Sequence, residues 1–138
     1  EFPFFIQWLS ADHPSQDGTP LAEIEKIVIA DKDYSEAGRI QNIKNAQLLA
    51  YFLQNNECDV VVSLVAPYKE LREEFKKICE SNIVEIYVHT NRKRQREQFK
   101  VEGYEAPETN FFDVDTTSDN PTQSFTKLIH HLKEINKL

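Results

Sequence analysis

The sequence has no methionine and little glycine: Gly18, Gly38 and Gly103 are the only three in 138 residues. They lie 20 and 65 positions apart, so no Gly-rich phosphate-binding loop of either common pattern can be written on them. The lack of methionine, even as an initiator, reads as a processed chain or a fragment. Cysteine is scarce as well. Cys58 and Cys79 are too few for a disulfide scaffold and lack metal-ligand spacing, which favours a reducing, cytoplasmic setting and no bound metal. No apolar run approaches the ~20 residues of a membrane span, and no basic-then-apolar leader opens the chain. Basic charge is in deficit: 16 Lys and Arg against 23 Asp and Glu leave a net charge of −7. That balance argues against nucleic acid or an acidic membrane face as a partner.

What is present is enough for one folded domain, because a 16.1 kDa chain holds a single core and not two. The apolar run at residues 4–9 reads as a buried strand, and residues 10–20 have no periodicity and read as a loop. A short helix over 21–26 leads to a second strand at 27–30, stopped by Asp31-Lys32-Asp33. Ser35 caps a long helix whose apolar residues Ile40, Ile43, Ala46, Leu49, Ala50 and Leu53 recur at three- and four-residue steps. The β-branched run at 59–65 is apolar on both faces, as in an interior parallel strand, whereas the strand at 27–30 is expected at an edge. Pro67 opens a helix to about Ser81, with Leu71, Phe75 and Ile78 inward. A strand at 83–88, a charged helical stretch at 92–100, a loop to Asn110 and a strand at 111–114 follow. Asn120 or Thr122 caps a last helix with Phe125, Leu128, Ile129, Leu132 and Ile135 on one face. This alternation predicts a doubly wound α/β domain, whose ligands bind beyond the carboxyl ends of its strands.

Several blocks at those strand ends resemble one family. The segment from Asp33 through Tyr34, Ser35, Arg39, Asn42 and Ile43 is similar to the adenylylsulfate kinase signature, an aromatic residue and Ser followed by Arg-x-x-Asn-Ile opening a helix. Ala66-Pro67-Tyr68-Lys69-Glu70-Leu71-Arg72 resembles its Ser-Pro-Tyr/Phe-Arg-x-x-Arg turn. Glu85-Ile86-Tyr87-Val88 matches the following strand, and Phe99 with Tyr104-Glu105-Ala106-Pro107-Glu108 is similar to the substrate lid and its exit. The likeness runs from about Ile27 to the C-terminus. It implies a single three-layer P-loop-kinase-like α/β domain over 1–138, with a mainly parallel five-stranded sheet and a lid at about 91–110. It further implies ATP-dependent phosphoryl transfer to the 3′-hydroxyl of adenylyl sulfate in sulfate activation, with Mg²⁺ and ATP required if the chain is active.

The resemblance assigns roles by position. Tyr34 and Phe99 would sandwich the adenine, and Arg39 and Asn42, one helical turn apart, would hold the adenylyl sulfate. Asp31 and Asp33 would be the catalytic carboxylates, although carboxylates before a helix cap are also ordinary turn chemistry. Lys69 and Arg72 would meet the sulfate end or merely pair with Glu70, Glu73 or Glu74. Arg92, Arg94 and Arg96 would contact nucleotide or form a solvated helix face. His130, His131 and the two cysteines read as structural.

The chain departs from the family where a Walker A loop should follow the first strand. Residues 10–19 have one glycine, no lysine and two carboxylates, Asp12 and Asp17. Ala66 stands where the family has serine, and the lid is about two residues short. Two readings follow: a kinase of this family, or a non-catalytic relative that binds an adenine nucleotide or a protein partner. A homodimer is compatible with either.

Overall fold

The computed structural model describes residues 4–9, 35–92 and 102–138. The expected strand at 27–30 and helix at 21–26 lie outside the described residues, as does nearly all of the charged stretch at 92–100. In chain order the described elements are β1 (Phe4–Leu9), α1 (Glu36–Gln54), β2 (Val60–Leu64), α2 (Lys69–Cys79), β3 (Ile83–His89), β4 (Phe111–Asp115) and α3 (Pro121–Glu134). A 3₁₀ turn over Glu80–Asn82 joins α2 to β3.

Local chemistry sets most of these limits. The Ser35 side chain accepts from Gly38 N at 3.1 Å and starts α1, satisfying one of the four orphan N–H groups of a first turn. Asn120 caps α3, and Gln123 reaches back to its backbone N–H, a reciprocal capping box with Pro121 at the first helical position. The end of α2 is tighter than its sequence pattern implies: Glu80 takes a positive φ of 51°, outside helical backbone, and the helix ends at Cys79, two residues before Ser81.

The described strands form one sheet in the order β2-β1-β3-β4. β3 and β4 are parallel, and β2 and β3 both run antiparallel to β1. Three strands therefore point one way, and β1 lies reversed between two of them. This corrects the expected parallel run: Phe4 pairs with Val88 at the carboxyl end of β3, while Leu9 pairs with Val60 and Ile83 at the amino ends of β2 and β3. Four strands are described, not five, and β2 is an outer strand among them.

Helices cover both faces, which makes three layers. On one face Val60, Val62, Ala50, Phe75 and Cys79 form a core beneath α1 and α2. On the other, Val84, Ile86 and Val114 meet Leu132 of α3. Two expectations fail here. Val61 and Val65 are 37% and 36% exposed, so β2 is not buried on both faces. Ile78 also points outward; the inward stripe of α2 is Arg72, Phe75 and Cys79. In α3, Leu128 and Leu132 pack inward while Phe125 is exposed. His131 stacks on Phe112 at 3.9 Å, and Cys58 and Cys79 are free thiols.

Candidate functional site

The carboxyl ends of β2, β3 and β4 open onto a common edge. α1 starts there, because its carboxyl end feeds β2 through a short turn. Ile43 is buried against Ala66, just beyond β2. Arg39 lies one turn before Ile43 on the same helical stripe, so it projects past the strand end. Arg39 and Asn42 are both half-buried. Neither side chain has an ion pair or hydrogen bond to another described residue. A fixed positive charge with donors to spare, beside an amide, suits a phosphate or sulfate group.

The segment from Tyr104 to Glu108 is clasped onto the start of α2. Tyr68 precedes α2 without giving a side-chain cap; the Glu105 carboxylate supplies one instead, accepting from Lys69 N at 2.6 Å. Glu105 N donates to Pro67 O at 2.9 Å. Lys69 pairs with Glu108 at 2.8 Å, a bond that raises the lysine pKa and lowers that of the carboxyl. Lys76 donates to Thr109 O at 3.0 Å.

Beneath this segment lies a buried charge cluster. Arg72 and Glu85 have no exposed side-chain surface and meet at 3.2 Å. Arg72 also donates to the carbonyls of Ala66 and Glu105, and Lys76 binds the second Glu85 oxygen. The guanidinium sits 5.2 Å from the Tyr104 ring centre, and that ring stacks on Tyr87 at 6.0 Å. Burial pushes the Tyr104 hydroxyl up to about 12.

The ends of β3 and β4 are joined by polar side chains. Thr116 N donates to His89 O at 2.8 Å, and Asn91 N donates to Thr117 Oγ1 at 3.0 Å. His89 Nε2 lies 3.0 Å from Asp113 Oδ1. The Thr117 hydroxyl and amide side of the turn hold Asp115 below the usual carboxylate range.

The assigned residues therefore separate. Arg39 and Asn42 stand at the carboxyl edge with donors that no other described residue takes. Arg72 is enclosed instead: its side chain has no exposed surface and its fork joins α2, β3 and the Glu105 segment. Lys69 pairs with Glu108, none of the three glutamates the sequence offered, because the Glu105 segment folds back over α2. Arg92 donates from Nε to Thr117 O, which ties it to the exit of β4. Asp31, Asp33, Tyr34, Arg94, Arg96 and Phe99 lie outside the described residues. Sequence reasoning missed the cap from Glu105 and the His89–Asp113 pair. The first had a signal in the Tyr-Glu-x-Pro-Glu block; the second had none, since its partners are 24 residues apart.

Among the described residues no group of three His, Cys, Asp or Glu side chains is placed to hold a metal ion. A phosphate-wrapping loop follows the carboxyl end of its strand, and the carboxyl end of β1 is at the opposite edge of the sheet from Arg39 and Asn42.

Neither the curated proteins nor the solved structures yield a match to this chain. The sequence model described as adenylylsulphate kinase matches residues 22–125, about three-quarters of the chain. The matched stretch begins after β1 and after residues 10–19, and it includes α1, the Pro67 turn, β3 and the Glu105 segment. By that match, which covers well over half of its length, the chain belongs to the adenylylsulfate kinase family.

Proposed function

We propose that this chain binds adenylyl sulfate, or a close adenine nucleotide, at the carboxyl edge of its sheet, and that it does not by itself transfer the ATP γ-phosphoryl group to the 3′-hydroxyl. The observation that carries this reading is the direction of β1. Its last residue pairs with Val60 and Ile83, at the edge opposite Arg39, and the ten residues that follow have no lysine and two aspartates. Like charges would repel a triphosphate, and phosphoryl transfer depends on donors fixed around the transferring group. The substrate side is different. Family membership supports an adenine-nucleotide ligand, Arg39 and Asn42 have donors available, and Tyr34 and Phe99 are assigned to the adenine by resemblance.

Calorimetric titration with adenylyl sulfate and with adenosine 5′-phosphate, beside a coupled turnover assay with ATP and Mg²⁺, tests both halves. Saturable binding of either ligand with no turnover above background is expected. Robust turnover would restore the full kinase, with Asp31 and Asp33 as its carboxylates. No binding of either ligand at millimolar concentration would leave the protein-partner reading in its place.

A further inference from the structure

Beyond Gly38, the buried stripe of α1 is Ile43, Gln47, Ala50 and Gln54, with the four- and three-residue steps of a core-facing helix side. Two of these four are amides. Gln47 is 8% exposed, and its Nε2 donates to Leu71 O of α2 at 3.2 Å. An amide is stable at an inward position only where it meets a partner. It therefore fixes how two helices stand against each other, as a polar residue in a helix seam does. An apolar side chain at 47 would tolerate a slide or rotation of α1 that breaks this bond.

The bond lands on a fixed point. Leu71 packs with Ile43 and Ala66, and it precedes Arg72, whose guanidinium donates to Ala66 O and Glu105 O. Toward the start of α1, Gln47, Ile43 and Arg39 follow at four-residue steps, neighbours along one side of the helix. Gln47 thus ties the helix that carries Arg39 to the same turns of α2 that hold the Glu105 segment. We infer, on the nucleotide-binding reading above, that Gln47 is a positioning residue for the ligand. Through the Leu71 carbonyl it sets the rotation and height of α1, and with them where Arg39 places its guanidinium at the carboxyl edge. Gln47 itself does not touch the nucleotide, because eight residues of helix put it about 12 Å along the axis from Arg39. Its effect is felt because a guanidinium fork binds an anion only in a narrow range of positions.

Calorimetric titration of adenylyl sulfate and of adenosine 5′-phosphate into four chains tests this: wild type, Gln47→Leu, Arg39→Ala and the double variant. Gln47→Leu removes the donor and keeps a side chain of similar size, so the thermal melt should stay close to that of the wild type. Binding should weaken roughly three- to tenfold. In the Arg39→Ala background the same change should cost nothing further, because residues that act through one contact are not additive. A merely structural glutamine would shift the melt and give the same loss in both backgrounds. If Gln47→Leu fails to fold, Gln47→Met, unbranched like the native side chain, takes its place. Equal affinity of wild type and variant, or the same loss with and without Arg39, overturns the positioning role and leaves nucleotide binding standing. A wild type that binds neither ligand at millimolar concentration removes both.

Discussion

Arg72 of α2 and Glu85 of β3 meet at 3.2 Å with neither side chain exposed to solvent. Around them the carbonyls of Ala66 and Glu105 and the ammonium of Lys76 complete the polar partners. This cluster joins the turn after β2, the first turns of α2, the middle of β3 and the segment at Glu105. The same arginine that the family pattern places among ligand contacts is what holds those four pieces in register.

Removing one member of such a pair leaves an uncompensated buried charge. Arg72→Ala should therefore lower stability by about 3–5 kcal/mol, read as a drop in the urea midpoint and in Tm. Replacing both partners by apolar residues, Arg72→Met with Glu85→Leu, should recover part of that loss. Equal stability of wild type and Arg72→Ala would remove the structural role.

Glu105 caps α2 from 36 residues away. Glu105→Ala should cost about 1 kcal/mol, the usual value of a lost cap. It should also speed hydrogen exchange at the Lys69 amide. An unchanged exchange rate there would show that the carboxylate does not protect it.

Arg39→Ala removes a charge-assisted donor from the carboxyl edge. It should weaken binding of adenylyl sulfate or adenosine 5′-phosphate by roughly 1.5–3 kcal/mol and leave the thermal melt unchanged, since Arg39 supports no other described residue. Wild-type affinity in the variant would move the ligand elsewhere.

Alkaline pH should destabilise the fold in two overlapping windows. Burial raises the Cys79 thiol from 9.0 to about 11 and the Tyr104 hydroxyl from 10.0 to about 12. Below pH 9 both groups are neutral whether the chain is folded or not, so they add no pH dependence. Above it the unfolded chain releases protons that the folded one retains, and stability falls as pH rises. Urea midpoints should decline from pH 9 to 12, and Cys79→Ala should flatten the lower part of that decline.

Several elements were readable from the sequence because their causes are local. The bounds of β1 follow from one apolar run, the start of α1 from Ser35, and the start of α3 from Asn120 and Pro121. The spacing of Arg39 and Asn42 was legible because helical periodicity alone puts the two residues one turn apart. The orientation of Ile78 was not, since a three-residue step from Phe75 fits either side of a short helix, and the Arg72–Glu85 pair decides which side faces in.

The sequence by itself determined where β1, α1 and α3 begin, because those limits depend on neighbours within a turn or a strand. It also determined that residues 10–19 contain no phosphate cradle, because that needs glycines and a lysine that are not there. Only the tertiary structure decided that β1 runs against β2 and β3, that Arg72 is enclosed and that Lys69 pairs with Glu108. The physical reason is the same in each case. A strand's side-chain alternation is identical in both directions, and a charged side chain reveals its partner only when packing brings together residues 13 or 39 positions apart.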